Sequence, residues 1–212
     1  MVDLANQEEY DEVKSRICAM DRSPHLSLAH SFWKEHLRPG DIAIDATCGN
    51  GHDTVALAQL LLTDSNSLLL GLDIQGAALD QTSCLLRRSV PESHLSRVLL
   101  HRVCHSDIDQ IPLPHSPRLI VYNLGYLPGG DKSITTQTTT TLLSLQKALA
   151  LLASDGALSV TCYPGHPEGR QEEAAISEWA RQLNVKEWQA CHHRWINRPA
   201  SPSLFWIRAI SD

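Results

Sequence analysis

A polar residue, Asn123, ends a strongly apolar segment and is followed by an aromatic residue and a glycine-rich turn. Residues 119–124 are Leu-Ile-Val-Tyr-Asn-Leu, and residues 125–132 are Gly-Tyr-Leu-Pro-Gly-Gly-Asp-Lys. The Asn123 side-chain oxygen and the Leu124 carbonyl can accept hydrogen bonds from an amine and aim its lone pair at an electrophile. Tyr126 can stack on a flat base, as aromatic residues do with unpaired nucleotides. The alternative is a structural turn whose amide is satisfied internally.

A second candidate site lies where the apolar run 42–46 leads into the turn Thr-Cys-Gly-Asn-Gly at residues 47–51. Gly49 and Gly51 have no Cβ, so the backbone can turn sharply and approach a ligand closely. A helix predicted to follow offers unpaired N–H groups, which suit a carboxylate or an adenosine group. Thr54 stands where a GxGxxG motif has its third glycine, which argues against a site for a nicotinamide dinucleotide. A tight turn without a ligand is the alternative.

Two further polar residues follow the next apolar runs. Asp73 lies at the end of the run 67–74, where a carboxylate can accept both hydroxyls of a ribose. Its alternative role is the N-cap of a helix that begins near Gly76. His105 follows the run 97–103, at the position where an adenine ring would lie, although a lone histidine is more often a plain surface or core residue.

Other groups of residues give weaker signals. Asp131 and Lys132 are secondary candidates for proton acceptance and phosphate contact, because charged loop residues are usually solvated. Two pairs of histidines, 101 with 105 and 192 with 193, have no third ligand at metal-binding spacing, so no metal is expected. No GxSxG signature is present, and hydrolase chemistry therefore has no motif behind it.

The segments that must position these residues alternate short apolar runs with longer amphipathic ones, as in a parallel sheet covered by helices. Strands are predicted at residues 42–46, 67–74, 97–103, 118–124 and 157–163, and helices near 52–62, 76–88, 138–153 and 168–183. The runs 185–195 and 204–210 are joined by a short loop and predict an antiparallel hairpin. The predicted fold is α/β, a doubly wound, mostly parallel seven-stranded sheet that ends in this hairpin.

The N-terminal region is predicted to be helical. An acidic, amphipathic segment at residues 6–20 predicts one helix, which residues 21–24 end. Leu26, Ala29, Trp33 and Leu37 recur at helical spacing and predict a second, which Pro39-Gly40 stops. The predicted organisation is a helical cover at residues 1–38 and one catalytic domain at residues 39–212.

Composition limits the classes of function. The chain has 212 residues and a net charge of -6, which argues against an unaided grip on nucleic acid. Two groups of basic residues can form local patches, although a solvated surface of mixed charge is the favoured interpretation. The first group is Arg87, Arg88, Arg97 and Arg102, and the second is His192, His193, Arg194 and Arg198. The six cysteines form no CxxC pair, and no apolar run reaches the ~20 residues of a membrane span. A cytoplasmic location is expected, unless an organellar targeting segment has been removed.

The segment from Asn123 resembles the Asn-Pro-Pro-Tyr type of motif of methyltransferases that act on amino groups. A parallel sheet that ends in an antiparallel hairpin is also typical of S-adenosylmethionine-dependent methyltransferases. Together with residues 45–54, 73–75, 123–136 and 165–169, these features resemble the tRNA 5-(aminomethyl)-2-thiouridine methyltransferase family, long labelled rRNA methylases. The resemblance covers roughly residues 39–210. Cys104 and Pro164 depart from the pattern, which has serine and histidine there.

This resemblance implies a class I, Rossmann-like methyltransferase that uses S-adenosylmethionine and methylates the 5-aminomethyl group of the wobble uridine. The implied partner is tRNA, through its anticodon loop, with no metal and no membrane; a homodimer is compatible with the sequence. Asn123 and Tyr126 are the predicted catalytic residues. The predicted cofactor-binding residues are Gly49, Asn50, His52, Asp53, Asp73, Gln75 and His105. The alternatives are methylation of rRNA or of a small-molecule amine, and a non-catalytic binding module with the same fold.

Overall fold

A seven-stranded sheet organises the chain in this computed structural model, which describes residues 24–63, 65–127, 129 and 135–210. The strands are β1 (Ile42–Asp45), β2 (Leu68–Asp73), β3 (Val98–Arg102), β4 (Leu119–Asn123), β5 (Ala157–Cys162), β6 (Trp188–His193) and β7 (Ser203–Ala209). The helices are α1 (Pro24–His36), α2 (His52–Leu61), α3 (Gly76–Ser89), α4 (Glu92–Leu95), α5 (Thr138–Leu151) and α6 (Pro167–Arg181), with a 3-10 helix at His105–Gln110. The helix predicted at residues 6–20 lies outside the described residues.

The strand order is β3-β2-β1-β4-β5-β7-β6, and the first five strands are parallel. Strand β7 is antiparallel to both β5 and β6, which confirms the predicted C-terminal hairpin and the predicted fold class. The chain reverses its direction of travel across the sheet between β1 and β4. In doubly wound sheets ligands bind beyond the carboxyl ends of the strands at such a reversal.

The two faces of the sheet are buried against different helices, as the alternation of side chains along a strand requires. In β1, Ile42 and Ile44 belong to the apolar cluster that includes Leu145 of α5 and Ile176 of α6. Ala43 points to the opposite face, where it belongs to a cluster with residues of α1, α2 and α3. All four residues of β1 are buried, which explains why its sequence is continuously apolar until Asp45.

Helix α1 covers the sheet face next to the predicted turn. It begins at Pro24, whereas the sequence predicted that residues 21–24 end the preceding helix. Proline suits the first turn of a helix because N–H groups there have no partner within the helix, so the lack of one costs nothing. Its buried side chains are His25, Ala29 and Trp33, and the Trp33 indole donates a hydrogen bond to Ser159 Oγ at 2.8 Å. No helix within the described ranges is both long and apolar enough to cross a membrane.

Candidate active site

The turn between β1 and α2 is built on two glycines in the left-handed region, Gly49 with φ 53° and Gly51 with φ 83°. A Cβ on Gly51 would lie 2.7 Å from the Cα of Thr82 in α3, so a side chain at this position would collide with backbone. The Thr82 hydroxyl donates to the Gly49 carbonyl at 3.3 Å. Glycine at position 51 is therefore required by both the conformation and the packing of α3 against the turn.

Asp73, the last residue of β2, holds the turn through both carboxylate oxygens. Oδ2 accepts from the Gly49 N–H at 2.9 Å, and Oδ1 accepts from the Gln75 N–H at 2.8 Å. The N-cap residue of α3 is Gln75, so Asp73 is not the helix cap that was its alternative role. Each carboxylate oxygen has a further lone pair that can accept from a ligand hydroxyl.

Asp45, at the end of β1, lies completely buried beneath the same turn. Its Oδ2 accepts from the Thr54 hydroxyl at 2.6 Å, and its Oδ1 accepts from the Thr47 N–H at 3.1 Å. Burial raises the pKa of Asp45 to about 7, and the nearby Asp53 and Asp73 carboxylates act in the same direction. Asp45 thus ties the turn to the first turn of α2 from below.

The other predicted cofactor residues surround this turn. Asn50 is half-buried within it, Gln75 is half-buried beside Asp73, and His52 is exposed at the first position of α2. His105 is buried, its ring packs edge-on against Tyr122 with centroids 6.0 Å apart, and burial lowers the pKa of its imidazole. The His105 Nδ1 atom is buried and has no hydrogen-bond partner among the described residues.

The features around Gly49 fit an adenosyl group. The Asp73 carboxylate can accept ribose hydroxyls, and the unpartnered Nδ1 of His105 can accept a hydrogen bond from the amino group of adenine.

Asn123, the last residue of β4, lies beside this turn because β4 is the parallel neighbour of β1. Its backbone N–H donates to Thr47 Oγ1 at 2.7 Å. Its side-chain Nδ2 donates to Asp53 Oδ2 at 2.9 Å, and the other oxygen of Asp53 lies 2.9 Å from His30 Nε2. The planar amide therefore presents Oδ1 away from Asp53, where it can accept from an amine.

Asp53 was predicted to bind the cofactor, and the structure places it with the predicted catalytic residue. Both of its oxygens are engaged, one by Asn123 and one by His30 of α1. The carboxylate is largely buried in the first turn of α2. Its contacts are those of a group that orients the Asn123 amide.

Tyr163, which follows β5, completes the surroundings of Asn123. Its hydroxyl lies 3.5 Å from His25 Nε2 of α1. Burial, together with the Asp53 carboxylate, raises the pKa of Tyr163 to about 12, so the phenol stays neutral. The departure from the family pattern at Pro164 lies directly after this residue, and the Pro164 carbonyl accepts from Arg170 at 3.3 Å.

Tyr126 lies on the loop after β4, and 39% of its surface is exposed. Its ring centroid is 6.0 Å from that of His166, and its backbone forms a bridge with Thr135. The loop is closed at its base because the Gly125 N–H donates to Thr136 Oγ1 at 2.9 Å. The Asp131 and Lys132 predictions fall between these ends, outside the described residues.

Glu172 of α6 anchors the base of this loop. It is buried, and it accepts from the hydroxyls of Thr136 at 2.9 Å and Thr141 at 2.6 Å. Burial raises its pKa. Among the described residues no group of three or more His, Cys, Asp or Glu is arranged to hold a metal ion.

Comparison with known proteins identifies the family. Residues 69–208 match the family described as "Putative rRNA methylase". The chain belongs to this family. It is 38% identical over 190 residues to the chloroplastic tRNA (mnm(5)s(2)U34)-methyltransferase of Arabidopsis thaliana, covering 88% of this chain and 69% of the relative.

Two solved structures of putative methyltransferases have the same fold. A "putative rRNA-methylase" from Clostridium thermocellum superposes with a TM-score of 0.82 at 33% identity, over 88% of this chain and 97% of that one. SMU.1697c, a "putative methyltransferase" from Streptococcus mutans in complex with SAH, superposes with a TM-score of 0.76 at 30% identity, over 88% and 98% of the two chains. The predicted family and the class I methyltransferase fold are both confirmed.

The sequence interpretation missed several residues of this site. Thr47, His30 and Tyr163 each contact Asn123 or Asp53, and Asp45 supports the turn from below. Asp45 ends an apolar strand as Asp73 does, so the same signal was available for it. His30 had no such signal, because its contact depends on how α1 packs on α2.

Proposed function

We propose that this protein is an S-adenosylmethionine-dependent methyltransferase whose acceptor is the 5-aminomethyl nitrogen of 2-thiouridine at the wobble position of tRNA. The observation that carries the proposal is the Asn123 amide, held by Asp53 at the end of β4 and adjacent to the Gly49 turn. The Arabidopsis relative, whose name specifies this wobble nucleotide, supports the choice of acceptor. The cytoplasmic location, the homodimer and the division at residue 38 stay predictions.

The proposed cofactor site is the Gly49 turn with Asp73, Gln75 and His105. Asp73 would accept from the ribose hydroxyls, while His105 Nδ1 would accept from adenine. When bound there, S-adenosylmethionine supplies a methyl group on a positively charged sulfur. The Asp53 and Asp73 carboxylates lie beside the turn and favour a positively charged sulfonium over a neutral product.

The proposed work of the chain is to position an uncharged amine. Asn123 Oδ1 and the Leu124 carbonyl accept its N–H groups, which leaves the nitrogen lone pair free to face the methyl group. The new N–C bond forms as the C–S bond breaks and its electron pair stays on sulfur. The nitrogen then loses a proton to solvent and becomes a secondary amine. Tyr126, exposed on the loop after β4, stacks on the pyrimidine ring.

Nucleoside mass spectrometry of tRNA tests this function. In cells that lack the protein, 5-aminomethyl-2-thiouridine should replace 5-methylaminomethyl-2-thiouridine in tRNA, and the total of the two nucleosides should be unchanged. Restoring the wild-type chain should restore the methyl group. An unchanged nucleoside profile in tRNA would reject the tRNA assignment.

The family's description favours a second acceptor, ribosomal RNA. Purified protein with radiolabelled S-adenosylmethionine can be offered tRNA lacking this methyl group or ribosomes from the same cells. Under the tRNA proposal the label enters tRNA alone. Label in ribosomal RNA alone would transfer the proposal to that acceptor, while label in neither would favour a small-molecule amine or a binding module.

A further inference from the structure

The connection between β6 and β7 has a charge that differs from the rest of the chain. Residues 188–210 contain three arginines and two histidines but no aspartate or glutamate, although the whole chain carries a net charge of -6. Arg194 and Arg198 lie in the connection itself, and residues 194–200 are all exposed. Such a local concentration of arginine is suited to the phosphates of a nucleic acid.

Large apolar side chains are exposed in the same connection. Trp195 is 38% exposed and Ile196 is 99% exposed. The backbone around them is ordered by two successive turns, in which Arg198 N donates to the Trp195 carbonyl and Ser201 N donates to the Arg198 carbonyl, each at 3.0 Å. Exposed aromatic residues next to arginines form the stacking surfaces that bind single-stranded nucleic acid.

A cavity of about 150 Å³ opens beside this connection. Its lining residues are His25, Leu28, His193, Arg194, Trp195 and Leu204. His25 is 3.5 Å from the hydroxyl of Tyr163, a residue that lies near the Asn123 side chain. One wall of the cavity is thus joined through Tyr163 to the surroundings of the amide that is proposed to hold the amine.

Arg194 is held in place at the edge of the cavity. Its Nη2 lies 3.6 Å from Glu173 Oε2, and half of its side chain is exposed. Glu173 also lies 3.5 Å from His192 Nε2, and it accepts a short hydrogen bond from the Ser203 hydroxyl. One oxygen of Glu173 therefore contacts one part of the Arg194 guanidinium. The remaining N–H groups of this guanidinium can face a phosphate.

We infer that the β6–β7 connection and this cavity bind the single-stranded RNA that flanks the methylated nucleotide. Trp195 stacks on a neighbouring base, and Arg194 and Arg198 bind its phosphates. The inference rests on the proposed function for its choice of RNA. It adds the face of the molecule on which the RNA lies, a surface distinct from the Gly49 turn and from Tyr126.

The test compares two variants of the connection with a matched control. Trp195→Ala and Arg198→Ala change exposed side chains, whereas Arg194 is left intact because its loss would leave Glu173 without that partner. The control, Arg87→Ala with Arg88→Ala, removes two exposed arginines from the last turn of α3. Binding of a 17-nucleotide anticodon stem-loop is measured by fluorescence anisotropy over a range of salt concentrations, and methyl transfer is measured on the same RNA.

Trp195→Ala should raise both Kd and KM for the stem-loop by about tenfold and leave kcat within about twofold. Arg198→Ala should weaken binding and lower the salt slope by about 0.7, the value for one single-strand phosphate contact. Trp195→Phe should retain most of the affinity. The control variant, Arg87→Ala with Arg88→Ala, should change neither Kd nor KM for the stem-loop by more than about twofold.

Two results would overturn the inference while leaving the proposed function intact. One is a wild-type KM for the stem-loop in both connection variants. The other is a Trp195→Ala variant whose oligomeric state, measured by light scattering, differs from that of wild type while its RNA affinity does not. That result would make the exposed Trp195 and Ile196 a contact between two copies of the chain. A wild-type protein that binds the stem-loop through Trp195 but methylates only ribosomal RNA would retain the RNA surface and reject the tRNA function.

Discussion

The Asn123 side-chain nitrogen donates to Asp53 Oδ2 at 2.9 Å, so the last residue of β4 is held by the first turn of α2. The two residues are 70 positions apart in the chain. Their contact joins the two halves of the proposed site, because Asp53 belongs to the helix that follows the Gly49 turn and Asn123 belongs to the acceptor side. Catalysis by positioning depends on such contacts, since a misplaced amine loses its alignment with the methyl group.

Asp53→Ala should lower kcat by about a hundredfold and leave S-adenosylhomocysteine affinity nearly unchanged. Without the carboxylate the Asn123 amide can rotate, and its oxygen no longer has a fixed direction. His30→Ala should have a smaller effect of the same kind, because His30 contacts only Asp53 in this network. The measurements are steady-state kinetics and calorimetry, with thermal unfolding as a check on folding. A parallel loss of S-adenosylhomocysteine affinity would instead make Asp53 the cofactor residue that the sequence predicts.

Asp73→Ala should weaken S-adenosylhomocysteine binding by about a hundredfold, since two hydrogen bonds from ribose to a charged acceptor are lost. The Gly49 N–H also loses its acceptor, which loosens the turn. Asp80→Ala removes an exposed carboxylate of α3 and serves as the matched control. Calorimetry measures both affinities. Equal dissociation constants for wild type and Asp73→Ala would remove Asp73 from the site.

Gly51→Ala should destabilise the fold far more than Gly40→Ala. Both residues have positive φ, 83° and 87°, and both alanines incur about 1 kcal/mol of backbone strain. At Gly40 a Cβ meets nothing within 4 Å, whereas at Gly51 it meets the Thr82 Cα at 2.7 Å. We expect Tm to fall by about 3 °C for Gly40→Ala and by more than twice that for Gly51→Ala. Equal losses of Tm would show that backbone strain, and not the collision with α3, determines the requirement at Gly51.

Asp45 makes stability depend on pH. Its pKa is raised by burial from 3.8 to about 7, so its contribution to stability is greatest below the unfolded pKa and is lost as pH rises toward and through 7. Asp45→Asn mimics the protonated form and lacks this dependence. From pH 5 to pH 8 the free energy of unfolding of Asp45→Asn should therefore rise relative to wild type by about 3 kcal/mol. Urea unfolding at the two pH values measures this, and a constant difference would mean that Asp45 is ionised throughout.

Local patterns were sufficient to predict the sheet. Strand β1 is buried on both faces and consequently has a continuous apolar sequence, and the short loop between β6 and β7 permits only an antiparallel connection. The site could be placed because the carboxyl ends of neighbouring parallel strands meet at one edge of a sheet. Asp73 ends β2 and Asn123 ends β4, and these strands are the two parallel neighbours of β1, so the two residues lie on either side of it.

Side-chain pairing across elements could not be predicted in this way. His30 meets Asp53 because α1 packs on α2, and nothing in the spacing of either helix encodes that pair. Glu172 meets Thr136 and Thr141 across more than thirty residues of chain. The polar residues of the turn were recognised from the sequence, whereas the contact of Asp53 with Asn123 was not, because it depends on tertiary packing.

The most direct test of the central claim is methyl transfer by Asn123→Ala to tRNA that carries 5-aminomethyl-2-thiouridine, measured in a single turnover. The variant should bind S-adenosylhomocysteine with a dissociation constant within about twofold of wild type, while its transfer rate falls by about 10³, as for the loss of a positioned hydrogen-bonding group in other enzymes. A wild-type transfer rate in Asn123→Ala would contradict the account, because the amide could not then be what holds the amine.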